Sequence, residues 1–237
     1  MTAGPERERL VVIGNGMAGC RAVEELLARA PGRYAVTIFG AEPRVNYNRI
    51  MLSPVLAGDK TFDEIVINPA EWYEENGIEL IAGDPVVHID RVGKVVISET
   101  GRIEPYDRLI VATGSDPFII PVPGKDLPGV VSFRDLDDVE KMVNAAALGG
   151  NAVVIGGGLL GLEAAHGLAL RGMNVTVIHL MPNLMERQLD EAAGWLLQEE
   201  LERRGQVILT GADTEAILEE GGHVSGVRLK DGREIPA

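Results

Sequence analysis

The chain contains one short pattern twice, and this duplication constrains the fold more than any other feature. A first apolar run, residues 10–13, is followed by glycines at the spacing Gly-x-Gly-x-x-Gly, and a second apolar run, residues 152–155, is followed by the same spacing. The two motifs lie 142 residues apart (156 minus 14). Apolar residues at helical spacing follow each motif, and a further apolar run follows each predicted helix. The repeat predicts two strand–turn–helix–strand units.

Glycines at this spacing suit the binding of a dinucleotide. The first glycine permits a tight turn, the second lets a pyrophosphate approach the backbone, and the third lets helix and strand pack closely. Free N–H groups at the helix N-terminus then attract the anion. A single copy is weak evidence, because glycine-rich turns also occur in α/β sheets without a ligand. Two copies in the same context predict two sites, with these candidate residues: Gly14, Gly16, Met17, Ala18, Gly19, Gly156, Gly158, Leu159, Leu160 and Gly161.

Composition narrows the function classes. The net charge of −14 argues against a nucleic-acid partner, because a phosphate backbone requires basic neutralisation. A hydrophobic content of 46% is enough to build a buried core. The one cysteine, Cys20, excludes an internal disulfide and a four-cysteine metal or Fe–S site within these residues. No apolar stretch reaches about 18 residues, so we expect no membrane span and a cytoplasmic location.

The remaining sequence is also typical of α/β architecture. Short apolar runs predict strands at residues 78–82, 85–89, 94–98 and 109–112. A helix is expected from about Asp135 to Ala147, and Asp190 stands where the N-cap of another helix is expected. Prolines between residues 115 and 130 indicate a linker, and we predict two α/β domains, residues 1–120 and 121–237, each with a mostly parallel sheet flanked by helices. The chain ends just after a turn at residues 231–232, so the second domain is expected to be incomplete at its C-terminus.

Each predicted unit has a candidate ribose contact after its second strand. Glu42 lies 23 residues after Gly19 (42 minus 19), near the expected spacing for an acid that accepts ribose hydroxyls. The alternative is a solvated loop glutamate. The second unit has His179 instead, 18 residues after Gly161 (179 minus 161). A neutral histidine can bind a ribose hydroxyl, whereas a cationic one, helped by Arg187, favours a 2′-phosphate. The alternative is a strand-end residue without ligand, and the choice between NADH and NADPH is open.

His88, His166 and His223 have no second ligand at metal spacing, so no metal site is predicted. Cys20 begins the first helix and is expected to be a packed small residue.

The sequence resembles the FAD/NAD(P)-dependent pyridine nucleotide reductases. The resemblance lies in VVIGNGMAG, FGAEP, NYNR, YDRLIVATG and VVIGGGLLGLEAA. It implies that the first unit binds FAD and that the second binds NAD(P)H. It also assigns further cofactor contacts: Val86, Ala112, Thr113 and Gly114 to FAD, and Glu163 to the nicotinamide side. Arg49 is a further candidate for a flavin or pyrophosphate contact, because a guanidinium binds an anionic group bidentately.

Within this family the similarity is greatest to the N-terminal flavoprotein part of nitrite reductase large subunits, over nearly all 237 residues. It implies an enzyme in which hydride passes from NAD(P)H to FAD and electrons pass on, to reduce nitrite to ammonia in the full-length protein. The acceptor would be the protein's own C-terminal domains, with an Fe–S cluster and sirohaem, or a small redox protein. A homodimer is possible on the same ground. No catalytic side chain is assigned, because the cofactors carry the chemistry.

Two departures from the family pattern weigh against particular branches of the family. Ferredoxin and rubredoxin reductases usually carry Leu-Ser-Lys near the flavin, where this chain has Leu52, Ser53 and Pro54. The paired cysteines of the glutathione-reductase branch are also absent. The alternatives are an NADH oxidase or a ferredoxin- or rubredoxin-type reductase, and, from another class, a nucleotide-binding fragment without catalytic activity.

Overall fold

The computed structural model describes residues 7–237. The strands in chain order are β1 (Glu8–Ile13), β2 (Tyr34–Gly40), β3 (Asn46–Tyr47), β4 (Val66–Asn68), β5 (Ile78–Ala82), β6 (Val86–Asp90), β7 (Val95–Ser98), β8 (Ile103–Pro105), β9 (Arg108–Val111), β10 (Asn151–Ile155), β11 (Asn174–Ile178), β12 (Val207–Leu209), β13 (Thr214–Glu220), β14 (His223–Leu229) and β15 (Glu234–Pro236). The α-helices are α1 (Met17–Arg29), α2 (Leu52–Ala57), α3 (Ala70–Glu75), α4 (Leu136–Leu148), α5 (Leu159–Leu170) and α6 (Glu191–Arg203). Short 3₁₀ helices cover Arg49–Met51 and Asp63–Ile65.

The described residues form two compact units. Unit 1 contains the chain up to Arg49 together with Phe62–Ser115, and unit 2 contains Ile50–Thr61 together with Asp116–Ala237. The short segment Ile50–Thr61, which carries α2, therefore packs with unit 2 although residues of unit 1 flank it in the sequence. The predicted domain boundary between residues 120 and 121 stays a prediction.

Unit 1 is built on a parallel sheet in the order β5-β2-β1-β9. Both faces of this sheet are covered, and this explains why β1 reads as a continuous apolar run. Leu10 and Val12 pack on one face with Val23 of α1 and Tyr73 of α3. The alternate residues of β1 pack on the other face, against Val96 of the antiparallel sheet β6-β7-β8. The predicted α/β fold is confirmed for this unit.

Unit 2 repeats much of this plan. Strands β10, β11 and β12 form a parallel sheet, and the antiparallel sheet β13-β14-β15 packs against it around Ile178, Val227 and Leu229. Helix α5 packs on β10 and β11. In unit 1 a further parallel strand, β9, pairs with β1, whereas in the described part of unit 2 the matching side of β10 has no paired strand. The fold prediction of a mostly parallel, helix-flanked sheet is confirmed here too.

The predicted N-cap at Asp190 is confirmed, and the helix expected from about Asp135 also begins with an aspartate N-cap. The Asp135 carboxylate accepts a hydrogen bond from the backbone N–H of Asp138 (2.9 Å) at the start of α4. The Asp190 carboxylate accepts one from the N–H of Ala193 (2.8 Å) at the start of α6. These caps satisfy backbone donors that a helix leaves unpaired in its first turn. Helices α1 and α5, which begin at the two glycine turns, have no side-chain cap of this kind.

Candidate functional site

The first glycine turn has the geometry that an anion-binding helix start requires. Gly14 adopts a φ of +115°, and a Cβ there would overlap the carbonyl of Ala112. A Cβ on Gly19 would overlap the carbonyl oxygen of Gly14. A Cβ on Gly16, in contrast, would meet nothing within 4 Å among the described residues. Gly14 and Gly19 are therefore required by close backbone packing, while Gly16 borders open space.

The second glycine turn reproduces this arrangement in unit 2. Gly156 has a φ of +126°, and a Cβ on Gly161 would overlap the carbonyl oxygen of Gly156. Gly158 borders open space, as Gly16 does: no described atom lies within 4 Å of a Cβ placed there. The two turns differ at the first glycine, because a Cβ on Gly156 would meet no described atom within 4 Å, whereas one on Gly14 would overlap Ala112.

Neither helix that follows these turns is capped by a described side chain. Helix α1 starts after Gly16 and α5 after Gly158, and neither glycine has a side chain that could accept from the first-turn N–H groups. No acidic residue lies in the first turn of either helix as described. Unpaired N–H groups next to open space, without a competing carboxylate, form a donor set that fits a diphosphate.

Glu42 has partners that the sequence did not predict. The Tyr47 hydroxyl donates a 2.6 Å hydrogen bond to Oε2 of Glu42, and the Arg49 guanidinium forms an ion pair with Oε1. The Arg49 guanidinium also lies 5.4 Å from the centre of the Tyr47 ring. The Glu42 side chain is 19% exposed, so it is not a solvated loop residue. Its role toward ribose, and that of Arg49 toward a phosphate or flavin, stay predictions.

The other predicted flavin contacts lie on two segments of unit 1. Ala112 donates its N–H to the carbonyl of Ile13 (2.8 Å) and packs against the first glycine turn. Thr113 and Gly114 follow it and are exposed, and Gly114 has a φ of +77°. Val86 opens β6, where it pairs with Ser98. Their roles as cofactor contacts stay predictions.

The middle residues of the two turns differ, and the sequence reasoning did not consider them. In unit 1 the Asn15 side chain donates to the carbonyl of Arg44 (3.1 Å) and accepts from the Tyr73 hydroxyl (2.8 Å) and the Cys20 thiol (3.2 Å). Cys20 is fully buried, and this burial raises the pKa of its thiol to about 11. The prediction that Cys20 is a packed small residue is confirmed. Asn15 therefore fastens the first turn to the chain around it.

In unit 2 the middle residue is Gly157, and the side chains of His179 and Leu184 occupy the space beside its backbone. A Cβ on Gly157 would lie 2.8 Å from Cγ of His179 and 2.5 Å from a methyl carbon of Leu184. The Gly157 N–H instead donates to Nδ1 of His179 (3.1 Å), and the other ring nitrogen, Nε2, lies 3.1 Å from Oε2 of Glu186. Because Nδ1 accepts, the neutral ring carries its proton on Nε2 and donates it to Glu186.

The carboxyl group of Glu186 has a pKa below its ordinary value. The main cause is a hydrogen bond from its own backbone, and the bond from His179 adds to it. Glu186 is thus an anion at neutral pH, next to a buried histidine and to Arg187.

Backbone hydrogen bonds give the correspondence between the two units. The N–H of Gly83 donates to the carbonyl of Glu42 (3.0 Å), and the N–H of Gly211 donates to that of Met181 (3.0 Å). The next N–H in each unit donates to a carbonyl two residues earlier: Asp84 to Gly40 (3.1 Å) and Ala212 to His179 (2.9 Å). His179 therefore occupies the place of Gly40, while Met181 occupies that of Glu42. Counting residues from the glycine motif could not give this register, because the connections differ in length.

Glu163, predicted to lie near the nicotinamide, lies on α5 and accepts a 2.6 Å hydrogen bond from the Ser53 hydroxyl on α2. Both residues belong to unit 2. The sequence reasoning noted Ser53 as part of the Leu-Ser-Pro stretch but did not connect it with Glu163, since 110 residues separate them.

None of the described helices is both long enough and apolar enough to cross a membrane.

The fold and the two open glycine turns define a protein with two Rossmann-like α/β units. The sequence profile of the pyridine nucleotide-disulphide oxidoreductases matches residues 8–237, and the chain belongs to this family. The match confirms the family that the motifs predict.

The chain is similar to proteins that are much longer than it is. It is 53% identical over 231 residues to a nitrite reductase [NAD(P)H] of Bacillus subtilis, covering 98% of this chain and 29% of that relative. It is 33% identical to rhodocoxin reductase of Rhodococcus erythropolis, over 96% of this chain and 53% of that protein. Among solved structures, the ferredoxin reductase for the CYP199A2 system of Rhodopseudomonas palustris superimposes with a TM-score of 0.88 at 27% identity, over 97% of this chain and 57% of that one.

Proposed function

We propose that this chain is the cofactor-binding part of an FAD-dependent NAD(P)H oxidoreductase, with FAD on unit 1 and NAD(P)H on unit 2. The observation that carries the proposal is the pair of uncapped helix starts at Gly16 and Gly158, each bordered by open space. When both groups are bound, NAD(P)H supplies a hydride and the flavin accepts it and releases electrons to an acceptor.

The residues of unit 1 would bind and orient FAD. The backbone N–H groups of residues 16–19 would hold its diphosphate, and Glu42 would accept hydrogen bonds from ribose hydroxyls. Glu42 has two carboxylate oxygens with about four acceptor sites, so its bonds to Tyr47 and Arg49 leave capacity for ribose. The segment of Ala112, Thr113 and Gly114 would border the flavin side, and Val86 would contribute a backbone contact to adenine.

The residues of unit 2 would bind NAD(P)H in the same way. The N–H groups of residues 158–161 would hold the diphosphate, with Leu159 and Leu160 at the start of α5. Glu163, one turn further along α5, would lie on the nicotinamide side with its carboxylate oriented by Ser53. Binding in a fixed orientation is the chief contribution that such a protein makes to hydride transfer.

We propose nitrite as the final acceptor in the full-length protein, with an Fe–S cluster and sirohaem in parts of that protein outside this sequence. The 53% identity to a nitrite reductase supports this choice, as does Pro54 in place of the lysine expected of ferredoxin and rubredoxin reductases. The second candidate is a reductase of a small redox protein, which the similarity to rhodocoxin reductase favours. Comparison of nitrite-dependent turnover with reduction of a ferredoxin, on the full-length protein, distinguishes them.

A pair of reciprocal variants tests the two cofactor sites. Gly16 and Gly158 have φ values of −95° and −85°, which alanine adopts without strain, and a Cβ at either position has room. We expect Gly16→Ala to fold and to lose FAD affinity by about tenfold or more, because the methyl group takes the space of the diphosphate. Gly158→Ala should retain FAD and lose NAD(P)H affinity by a similar factor.

The measurements are the flavin absorption spectrum after gel filtration with FAD, and calorimetric titration with NADH and NADPH. Each variant is the control for the other, since both make the same change in equivalent turns. A protein that acquires no flavin and binds neither nucleotide would contradict the proposal. So would variants that affect both ligands equally.

A further inference from the structure

His179 has no ring nitrogen left for a ligand. It is 8% exposed, its Nδ1 accepts from the Gly157 N–H, and its Nε2 donates to Glu186. Rossmann-like units recognise the adenosine ribose of NAD with an acid placed after the second strand, and that of NADP with a cationic side chain. The residue after β11 therefore cannot make this contact in its present hydrogen-bonding state, although its neighbour Glu186 carries the required type of group.

The loop that carries Glu186 is fastened to the second glycine turn. The N–H of Met185 donates to the carbonyl of Gly157 (3.0 Å), and Met185 adopts a φ of +54°, which is uncommon for a residue with a side chain. Leu184, the preceding residue, is fully buried. The N–H groups of Gln188 and Leu189 both donate to the carbonyl of Met185 (2.8 and 2.9 Å). Glu186 thus lies on a turn whose backbone is bonded on both sides.

The Glu186 side chain is 31% exposed, in contrast to the 10% of the His179 side chain that holds it. One carboxylate oxygen bonds to His179. A carboxylate has about four acceptor sites, so a pair of ribose hydroxyls can still be accommodated. Because its pKa is lowered, the carboxylate is negative at neutral pH. A 2′-phosphate at the same place would meet this negative charge, while a 2′-hydroxyl would meet an acceptor.

We infer that Glu186 is the residue of unit 2 that selects a nicotinamide nucleotide with a free ribose 2′-hydroxyl over one with a 2′-phosphate. His179 is a positioning residue that holds the Glu186 carboxylate next to the glycine turn. The inference rests on the proposed function, because it needs a dinucleotide on unit 2. The charged neighbour Arg187 acts in the opposite direction, since a guanidinium attracts phosphate. Both residues are exposed, and Glu186 dominates in this account because its carboxylate is anchored to the glycine turn through His179.

The test measures binding of two nucleotides that lack nicotinamide, so that no turnover occurs, and unit 1 is first saturated with FAD so that the result reports on unit 2. ADP-ribose and 2′-phospho-ADP-ribose are titrated calorimetrically into the wild-type chain, Glu186→Gln and the control Glu199→Gln. Glu199 is an exposed residue of α6, so its substitution makes the same change in net charge elsewhere in unit 2. We expect the wild type to prefer ADP-ribose by about tenfold or more, and Glu186→Gln to reduce that ratio by about tenfold. Glu199→Gln should leave the ratio unchanged.

A double-mutant cycle tests the positioning role of His179. His179→Gln should reduce the nucleotide ratio when Glu186 is present and should have little further effect on the ratio in the Glu186→Gln background. A purely structural role would alter both affinities together and leave the ratio intact.

The outcomes separate the inference from the function on which it rests. If the wild type binds neither nucleotide, the proposed dinucleotide site of unit 2 is wrong. If it binds ADP-ribose but Glu186→Gln keeps the wild-type ratio, the site stands and the role of Glu186 is overturned. A wild-type preference for the 2′-phosphorylated nucleotide overturns that role as well.

Discussion

The hydroxyl of Ser53 donates a 2.6 Å hydrogen bond to Oε2 of Glu163. Ser53 lies on α2, and Glu163 lies on α5, just beyond the second glycine turn. The segment Ile50–Thr61 thereby reaches the residue that we assign to the nicotinamide side of the site. A hydrogen bond to a charged acceptor is stronger than one between neutral groups, so it restricts the rotation of the Glu163 side chain.

Removal of this bond should lower the stability of unit 2 and leave the side chain of Glu163 less restricted in its orientation. We expect Ser53→Ala to lower the free energy of unfolding by about 1.5–3 kcal/mol, as found for hydrogen bonds to charged groups. It should also slow the anaerobic bleaching of bound flavin by NADH severalfold. Ser53→Thr keeps the hydroxyl and is the matched control. Urea unfolding and stopped-flow absorbance measure the two effects, and identical values for the alanine and threonine variants would contradict this role.

Arg171 should stabilise the packing of α2 on α5. Its guanidinium donates to the carbonyls of Leu56 and Val55 at the C-terminal end of α2. A Cβ on Gly167 would lie 2.6 Å from Cγ of Leu56, so the two helices approach closely here. We expect Arg171→Ala to lower the free energy of unfolding by about 1–3 kcal/mol, because it leaves carbonyl groups unpaired. Arg171→Lys should recover part of this loss, since lysine lacks the fork of donors.

Thermal and urea unfolding of the two variants measure this effect. Limited proteolysis provides a second test, since cleavage should become faster within residues 50–61 and not elsewhere in unit 2. Equal protection of that segment in wild type and Arg171→Ala would show that the arginine does not hold it.

The carboxylate of Asp84 should make the stability of unit 1 depend on pH in the acid range. Hydrogen bonds from the Ser98 hydroxyl (2.6 Å) and from the N–H and hydroxyl of Thr100 (3.0 and 2.7 Å) hold the pKa of Asp84 below its ordinary value. Because the pKa is lower in the folded state, the ionised group stabilises the fold above the unfolded pKa of about 3.9. This contribution is lost as the pH falls through the folded-state value.

We therefore expect Asp84→Asn to be less stable than the wild type at pH 7 and at pH 5, by a similar amount. The difference should shrink as the pH falls below about 4, where the wild-type carboxyl group takes up a proton. Urea midpoints across this range measure it, and Glu99→Gln, at an exposed position nearby, is the control. A difference that grows on acidification would have the wrong sign for this account.

The thiol of Cys20 should be unreactive in the folded protein. It is fully buried, and burial raises its pKa to about 11, so the reactive thiolate is scarce at neutral pH. We expect a thiol reagent such as Ellman's reagent to label it only as fast as unit 1 unfolds, and urea should accelerate the reaction strongly. Labelling in native buffer at the rate of a free thiol would contradict this expectation.

The glycine motifs, most strands and the capped helices were predictable because their signals are local. A turn such as that at Gly14 requires glycine whatever surrounds it, and Asp135 or Asp190 caps a helix through bonds that span only three residues. The duplication also needed no structure, since it is a property of the residue order. The family and the α/β fold follow from these features together.

Contacts between residues distant in sequence were decided only by the tertiary structure. The pairing of Ser53 with Glu163 and the grouping of residues 50–61 with unit 2 leave no periodic or compositional trace. His179 of unit 2 is structurally equivalent to Gly40 of unit 1. This equivalence depends on which backbone groups bond across each sheet, not on the number of residues after a glycine. The sequence by itself thus determined which local structures form and how often they repeat. The three-dimensional packing decided which side chains face the space beside each glycine turn, because that depends on neighbours that the chain order does not bring together.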